Sequence, residues 1–204
     1  MMTQIKICGL TRIQDIEAVN RQKPDYIGFV FAKSRRQVTA RQAKNLKEKL
    51  HSGIKVVGVF VNEEVQRITL IVNAGIVDVV QLHGNETEEY IRELKRYINC
   101  PIIKAVSVQS SKDITNAESL SSEYLLLDSY QKEQYGGNGI TFDHALIPNL
   151  KKPYFLAGGL NRNNIMKAIE CNQPYGVDIS SGVEIDGIKN ESKIKEIIEL
   201  IRNS

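Results

Sequence analysis

The stretch Lys6-Ile7-Cys8-Gly9-Leu10-Thr11 marks the point where the first predicted strand gives way to the first predicted helix. The strand covers residues 2–7, and the helix covers residues 11–22 with Thr11 as its N-cap. A strand followed directly by a helix is the unit from which parallel α/β folds are built. Cys8 therefore lies at the carboxyl end of a strand, where such folds place their functional side chains.

The same strand-helix unit recurs along the whole chain of 204 residues. Apolar segments predict eight strands, at residues 2–7, 26–31, 55–61, 77–82, 101–106, 124–127, 153–157 and 176–179. We predict seven clear helices and one short one, with bounds such as 11–22, 39–51, 62–73, 86–97, 112–119 and 192–202. Asn62 and Asn85 are predicted N-caps. At about 25 residues per unit, this rhythm predicts a single (β/α)8 TIM barrel over residues 1–204.

Several predicted strands are apolar on both faces, as in Val79-Val80 and Leu125-Leu126-Leu127. This pattern is typical of parallel strands that helices cover on both sides. A doubly wound open sheet is the alternative, but such sheets usually have fewer strands and carry one glycine-rich nucleotide-binding turn. No segment rich in Pro, Gly and Ser divides the chain, so the sequence favours one domain.

The charge of the chain is small and evenly distributed, with 27 Lys and Arg residues, 24 Asp and Glu residues and a net charge of +3. A nucleic-acid binder usually carries a concentrated basic stripe, so we expect no nucleic-acid partner. The densest basic stretch, residues 33–49, combines a loop with a predicted helix. It indicates a solvated helix face with one or two anion-binding residues.

The sequence has no apolar run of the roughly 18 residues that span a bilayer, and no signal-peptide pattern before the first strand. Its cysteines, Cys8, Cys100 and Cys171, are odd in number and too far apart for a CxxC motif. We therefore expect a cytoplasmic protein with reduced thiols and no contact with a membrane. The three histidines are scattered and lack a carboxylate at ligand spacing, so no metal site is expected.

The carboxyl ends of the predicted strands supply the candidate site residues, because a TIM barrel carries its active site at that end. Alternation places Lys6 and Cys8 on one face of their strand, and Leu126 and Asp128 on one face of theirs. Cys8 and Asp128 are therefore predicted to point into the mouth of the barrel. Lys6 would lower the pKa of the Cys8 thiol if the two side chains are close.

Each candidate also has a purely structural alternative. A lone cysteine at a strand end is commonly a small buried apolar side chain, and an acid there commonly caps the following loop. His83, in Gln81-Leu82-His83-Gly84, is either a donor in the site or a structural histidine.

Two loops rich in small residues follow the last two predicted strands, and they are Gly158-Gly159 and Ser180-Ser181-Gly182. Phosphate sites in TIM barrels are frequently built from these two loops, because small residues leave backbone N–H groups open to an anion. Tight turns that only glycine can form are the alternative explanation. The position of the pair favours phosphate binding.

Five stretches of the sequence together carry a resemblance to a known family: KICGLT at 6–11, VGVFVN at 57–62, VQLHG at 80–84, LAGGL at 156–160 and VDISSGVE at 177–184. In this order, and over essentially the whole chain, the sequence resembles the phosphoribosylanthranilate isomerase family. The resemblance implies a TIM barrel that converts N-(5-phosphoribosyl)anthranilate to 1-(2-carboxyphenylamino)-1-deoxyribulose 5-phosphate in tryptophan biosynthesis, with no cofactor. The expected partner is this small phosphosugar, and we expect a monomer because a closed barrel leaves no strand edge open.

The resemblance also implies a role for each matching residue. Asp128 would be the general acid that opens the sugar ring, and Cys8 the general base that removes the C2 proton. Arg36 would bind the anthranilate carboxylate, for which a guanidinium fork is well suited. His83 would contact the substrate, Asp178 would support the site, and the phosphate would bind to Gly158, Gly159, Ser180, Ser181 and Gly182.

The sequence departs from the family pattern at three places. Ser34-Arg35-Arg36 stands where the family usually has Ser-Pro-Arg, so Arg35 is an alternative partner for the carboxylate. His144 stands where a tryptophan is usual, and Asn190 where an aspartate is common.

Three other functions are alternatives to the isomerase. An epimerase on this fold would need metal-ligand histidines and paired acids at strand ends. Indole-glycerol-phosphate synthase would need a catalytic lysine–glutamate set and a longer amino-terminal extension. A non-catalytic phosphosugar-binding protein on the same barrel is the third, and intact Cys8 and Asp128 argue against it.

Overall fold

The computed structural model describes residues 2–129 and 143–203 of the protein. In it, eight parallel strands close into a barrel in chain order, which confirms the predicted TIM barrel. The strands are β1 (Gln4–Cys8), β2 (Tyr26–Val30), β3 (Lys55–Phe60), β4 (Val79–Leu82), β5 (Ile102–Val108), β6 (Tyr124–Ser129), β7 (Tyr154–Leu156) and β8 (Gly176–Ile179).

Seven α-helices lie within the described ranges, and each follows a strand of the barrel. They are α1 (Ile13–Gln22), α2 (Ala40–Lys47), α3 (Val65–Asn73), α4 (Glu88–Leu94), α5 (Ser111–Glu118), α6 (Ile165–Asn172) and α7 (Glu191–Arg202). Two short 3₁₀-helices cover His144–Leu146 and Ser181–Val183, and a small antiparallel hairpin of β9 (Glu184–Ile185) and β10 (Ile188–Lys189) follows β8. The connection from β6 to β7 contains residues 130–142, which lie outside the described residues.

The apolar side chains form two layers, one inside the barrel and one between the barrel and its helices. The interior layer consists of Tyr26, Val57, Val79, Ile103, Leu126, Phe155 and Ala157. The outer layer is exemplified by α7, whose buried residues are Ile194, Ile197, Ile198 and Ile201, a 3.6-residue repeat that faces the core. Burial of each such side chain contributes about 1.5–3 kcal/mol, which holds the barrel rigid beneath the loops that follow each strand.

The helix starts differ from the predicted ones. The N-caps of α1, α3 and α4 are Arg12, Glu64 and Thr87 instead of the predicted Thr11, Asn62 and Asn85. Asn62 has a positive φ of 48°, and its Oδ1 accepts a hydrogen bond from the Asn85 backbone at 2.8 Å. The asparagine therefore joins the loops after β3 and β4, a long-range contact that local capping rules do not contain.

The strand ends differ as well, in a way that matters for the site. β6 extends to Ser129 because it continues to pair with β5 through Ser107 and Asp128. Asp128 is therefore part of a strand and is held by the barrel itself. None of the helices in residues 2–129 and 143–203 has both the length and the apolar composition needed to cross a membrane.

Candidate active site

Cys8 ends β1 and lies against the backbone of the neighbouring strand β2. The register pairs Cys8 with Gly28, and a Cβ at position 28 would lie 2.5 Å from the Cys8 sulfur. Any side chain at that position would displace the thiol, so Gly28 fixes where the thiol lies. Sequence reasoning missed Gly28, although an isolated glycine within an apolar strand indicates a close approach by another group.

Charged groups surround the buried thiol of Cys8. Lys6 shares its face of β1, is fully buried, and has its Nζ 2.9 Å from Oδ1 of Asp178 on β8. Burial would lower the pKa of the Lys6 ammonium, but Asp178 and Cys8 outweigh that effect and raise it, so Lys6 is a permanent cation.

The pKa of Cys8 is raised above its ordinary value, chiefly because burial disfavours the thiolate. Lys6 lowers this pKa, as predicted from the sequence, and Lys189 lowers it too, while Asp178 raises it. The positive charge expected near the base is therefore present, but burial has the larger effect and the pKa of Cys8 is raised overall. A thiolate formed here is a strong base, and it is a minor species at neutral pH.

Asp128 lies on the same face of β6 as Leu126 of the barrel interior, which agrees with the predicted alternation. Its Oδ1 accepts a hydrogen bond from the Ser129 backbone at 2.8 Å. Its Oδ2 lies 3.5 Å from Nε2 of His83, and 32% of the Asp128 side chain is exposed. The carboxyl group is thus open to a ligand.

His83 is oriented towards Asp128 by Gln81, which precedes it on β4. Nδ1 of His83 lies 2.8 Å from Nε2 of the buried Gln81 side chain. With the amide nitrogen as donor, Nδ1 is the acceptor and the ring proton is on Nε2, which faces the carboxyl group. His83 is therefore placed as a donor in the mouth of the barrel.

A buried ion pair fixes the loop that carries His83. Nζ of Lys104, on β5, lies 3.0 Å from Oε2 of Glu86 and donates to the Gly84 carbonyl at 2.6 Å. Glu86 in turn accepts hydrogen bonds from the backbone of Asn62 at 2.8 Å and of Gly84 at 2.9 Å. Both charged side chains are nearly inaccessible to solvent. Through the hydrogen bonds to Asn62 and Gly84, the ion pair connects the loops after β3 and β4 to β5.

The two loops predicted to bind phosphate contact each other. Gly158 and Gly159 have positive φ values of 82° and 68°, and a Cβ on Gly182 would lie 2.0 Å from the Leu160 carbonyl oxygen. The side-chain amides of Asn161 and Asn164 both donate to the Gly159 carbonyl, at 3.0 and 3.1 Å. These two hydrogen bonds stabilise the turn of the loop after β7.

Several backbone N–H groups of these loops are available to an anion. Within residues 2–129 and 143–203, the N–H groups of Gly158, Gly159 and Leu160 donate to no acceptor. Ser181 and Gly182 begin a 3₁₀-helix, so their N–H groups have no acceptor in that helix. Such a set of unpaired donors is an anion-binding arrangement.

Arg36 lies beside Gly9, and its guanidinium group forms a two-point contact with Glu184 of β9. Nε and Nη2 of Arg36 donate to the two carboxylate oxygens at 2.7 and 2.8 Å. A Cβ on Gly9 would lie 2.4 Å from Cδ of Arg36, so the arginine stem lies across the backbone that follows Cys8. Hydrogen bonding to Glu184 raises the pKa of Arg36, which is therefore a permanent cation in the barrel mouth.

Arg35 contacts the same carboxylate from the outside, with Nη2 2.9 Å from Oε2 of Glu184. Its side chain is 56% exposed, whereas that of Arg36 is 14% exposed. A Cβ on Gly187 would lie 2.8 Å from Nη1 of Arg35, which places this arginine over the β9–β10 hairpin. Arg36 is the deeper of the two.

The other departures from the family pattern are structurally mild. Asn190 is the N-cap of α7, with Oδ1 accepting from the Lys193 backbone at 3.1 Å, and asparagine caps a helix as well as aspartate does. His144 lies in a 3₁₀-helix with Nδ1 3.2 Å from the Asn172 side-chain amide. In the ranges that the structure describes, no group of three or more His, Cys, Asp and Glu side chains has the arrangement of a metal site.

The structure thus gathers every candidate from the sequence at one end of the barrel and adds residues that sequence reasoning missed. The added residues are Gly28, Gln81, Glu86, Lys104, Glu184 and Lys189. A lysine within an otherwise apolar strand, as in Ile103-Lys104-Ala105, was a signal available in the sequence for one of them.

Comparison with known proteins agrees with this fold and with the family resemblance. The family model described as N-(5'phosphoribosyl)anthranilate (PRA) isomerase matches residues 5–200 of the chain. A Clostridium acetobutylicum protein named N-(5'-phosphoribosyl)anthranilate isomerase is 45% identical over 205 residues, which cover 98% of each chain.

Two solved structures extend the similarity to three dimensions. The crystal structure of phosphoribosyl anthranilate isomerase from Thermotoga maritima superposes with a TM-score of 0.88 and 35% identity, over 100% of both chains. A phosphoribosyl anthranilate isomerase in complex with reduced 1-(o-carboxyphenylamino)-1-deoxyribulose 5-phosphate gives a TM-score of 0.83 and 32% identity, again over 100% of both chains. The chain belongs to the N-(5'-phosphoribosyl)anthranilate isomerase family.

Proposed function

We propose that this protein converts N-(5-phosphoribosyl)anthranilate to 1-(2-carboxyphenylamino)-1-deoxyribulose 5-phosphate, the third step from chorismate in tryptophan biosynthesis. The observation that carries the proposal is the placement of Cys8 and Asp128. They lie at the carboxyl ends of β1 and β6, beside two loops with open backbone N–H groups. An acid and a base from different strands can act on two atoms of one small sugar whose phosphate those loops bind.

Asp128 acts first, as the general acid. It gives its proton to the furanose ring oxygen while the bond from that oxygen to C1 breaks and the anilino nitrogen forms a Schiff base with C1. The exposed carboxyl group can reach a substrate, and His83 lies beside it as a donor. A bound sugar would exclude water from this carboxyl group.

Cys8 acts second, as the general base. Its thiolate removes the C2 proton of the Schiff base, and the resulting enolamine tautomerises to the ketone. Lys6 and Lys189 favour the thiolate, which limits the effect of burial on its pKa. The raised pKa makes the thiolate a stronger base once it forms, which suits removal of a proton from carbon.

The substrate's two anionic ends have separate sites in this proposal. The phosphate binds to Gly158, Gly159, Ser180, Ser181 and Gly182 in the loops after β7 and β8, and the anthranilate carboxylate binds to Arg36. The guanidinium group of Arg36 is deeper than that of Arg35, which supports the assignment to Arg36. No cofactor takes part in these steps.

A fluorescence assay tests the proposal directly. Purified protein should quench the fluorescence of freshly made phosphoribosylanthranilate without added metal or cofactor. Cys8→Ala and Asp128→Ala should each lower kcat by about 10³-fold or more and leave the circular dichroism spectrum unchanged. Cys171→Ala, which changes an exposed free thiol, is the matched control and should keep full activity. A Cys8→Ala or Asp128→Ala variant with a rate close to that of the wild type would refute the acid–base pair.

A second pair of variants tests the carboxylate site. Arg36→Ala should raise KM much more than Arg35→Ala does, because only Arg36 lies against the strand end that carries Cys8. The reverse order would assign the carboxylate to Arg35.

We also propose that the protein acts as a monomer in the cytoplasm. Closure of the barrel pairs each of its strands on both sides, which leaves the sheet no edge for a second copy to extend. Light scattering should give a mass near 23.0 kDa, and a mass of twice that value would contradict the proposal.

A further inference from the structure

Glu184 is a buried carboxylate at the edge of the site that the proposed reaction does not use. It is the first residue of β9, and its side chain is 5% exposed. Three cations contact it: Arg36 with two nitrogens, Arg35 at 2.9 Å and Lys189 at 2.5 Å. Burial would raise the pKa of Glu184, but Arg36 and Lys189 outweigh it and lower the pKa, so the group is ionised at neutral pH.

The backbone that carries Glu184 is firmly attached to the barrel. Glu184 pairs with Lys189 across the hairpin, and the Lys189 ammonium also donates to the Ser180 carbonyl at 3.0 Å. Arg12 of the loop after β1 donates to the Lys189 carbonyl at 3.0 Å, and Lys193 of α7 donates to the Glu184 carbonyl at 2.9 Å. A carboxylate held in this way can fix a flexible partner.

Arg36 is the flexible partner, and Glu184 accepts hydrogen bonds from only some of its N–H donors. A guanidinium group has five N–H donors arranged along a side edge, formed by Nε and one terminal nitrogen, and an end edge, formed by the two terminal nitrogens. Glu184 takes the side edge, at 2.7 and 2.8 Å. Within residues 2–129 and 143–203 no hydrogen bond from Nη1 of Arg36 is found, so the end edge remains for a second carboxylate and a substrate need not displace Glu184 to bind.

We propose that Glu184 is a positioning residue for substrate recognition, because it holds the side edge of Arg36 and so presents the end edge to the anthranilate carboxylate. The inference rests on the proposed function and extends it to a residue outside the acid–base pair. Without Glu184, binding would have to immobilise the long Arg36 side chain at the moment of association. That cost corresponds to about tenfold in affinity at its upper end.

The test compares Glu184→Gln with the wild type in the fluorescence assay. Glutamine keeps the size of the side chain but loses the charge and one acceptor for the arginine. KM for phosphoribosylanthranilate should rise about tenfold, whereas kcat should fall by a smaller factor, because Glu184 takes part in neither proton transfer and affects the base only through Lys189. Arg35→Ala is the matched control, since it removes a contact to the same carboxylate from the solvent side, and it should leave KM within about twofold.

A double-mutant cycle separates positioning from a general structural role. In the Arg36→Ala background, Glu184→Gln should change KM by less than about twofold, because the residue acts through the arginine. Inhibition by inorganic phosphate should be the same in Glu184→Gln and the wild type. Weaker inhibition by inorganic phosphate in Glu184→Gln than in the wild type would mean that Glu184 supports the phosphate loops instead. That result would overturn the inference.

The remaining outcomes are also distinguishable. An inactive wild-type protein would refute the proposed function, whereas an active wild type with an unchanged KM in Glu184→Gln would refute this inference alone. If Glu184→Gln does not fold, Glu184→Asp replaces it, since it keeps the charge but shortens the reach to Arg36. Its KM should then lie between those of the wild type and Arg36→Ala, and a wild-type KM would overturn the inference.

Discussion

Replacement of Gly28 by alanine should displace the proposed base, Cys8, without changing its chemical identity. The added Cβ would lie 2.5 Å from the Cys8 sulfur and 3.1 Å from the Cys8 Cα. The backbone at position 28 cannot retreat easily, because its carbonyl accepts hydrogen bonds from Gly9 at 2.9 Å and from Leu10 at 3.2 Å. The thiol therefore has to move.

The size of the effect follows from the distance. Non-bonded heavy atoms rest about 3.5–4.0 Å apart, so the sulfur must move by roughly 1 Å from where it now lies. A displacement of that size at a reacting atom lowers the rate by about 100-fold. The crowding should also destabilise the fold by about 1–3 kcal/mol, as overpacked side chains generally do. We expect Gly28→Ala to lower kcat about 100-fold with a smaller change in KM.

Gly58→Ala provides a matched control on the next strand. A Cβ at position 58 would lie 2.8 Å from Val77 and 2.9 Å from Phe60, which belong to the layer between the barrel and its helices. This variant should lose a similar amount of stability in urea unfolding but keep its kcat, measured by the fluorescence assay. Both variants are to be compared at a temperature where both are folded.

Two results would refute this reasoning. A folded Gly28→Ala protein with kcat within about threefold of the wild type would show that the rate does not depend on where the Cys8 sulfur lies. An equal loss of kcat in Gly58→Ala would show that crowding anywhere in the barrel lowers the rate.

Three further predictions concern titration, the phosphate loops and the buried ion pair. Burial raises the pKa of Cys8 above its ordinary value of 9.0, so the ultraviolet absorbance of its thiolate, measured as the difference between the wild type and Cys8→Ala, should appear only above about pH 9; a thiolate signal already present at pH 7 would contradict the effect of burial. Gly182→Ala places a Cβ 2.0 Å from the Leu160 carbonyl oxygen and pushes the loops apart, so KM should rise about tenfold or more and inorganic phosphate should inhibit less. Lys104→Met leaves a buried carboxylate unpaired and should lower the free energy of unfolding in urea by about 3–5 kcal/mol. Lys47→Met, at an exposed ion pair, should lower it by less than about 1 kcal/mol. Equal losses in these two lysine variants would contradict the role of burial.

The strands were predictable because their signal is local. Apolar runs such as Val79-Val80 and Leu125-Leu127 mark buried parallel strands whatever their neighbours are, and eight of them at a regular spacing indicate a barrel. Their ends were less predictable, since β6 extends to Ser129 only because β5 continues beside it. The cap at Asn62 was wrong for the same reason, because its side chain bonds to the Asn85 backbone of another loop.

The Arg36–Glu184 contact shows where sequence reasoning stops. The two residues are separated by 148 positions in the chain, and closure of the barrel between β1 and β8 brings the loops after β2 and β8 together. No local pattern around Glu184 indicates a partner for an arginine so far away. The electrostatics of the site depend on the same closure.

At Cys8, the contribution of the sequence can be separated from that of the tertiary structure. The sequence by itself placed a thiol at the end of the first strand, with a lysine on the same face, because side-chain direction alternates along every strand. Only the tertiary structure decided that Gly28 holds the sulfur, that Asp178 pairs with the lysine, and that burial outweighs the lysine in setting the pKa of the thiol. Alternation is a property of the backbone alone, whereas desolvation and pair distances exist only once the eight strands have closed into a barrel.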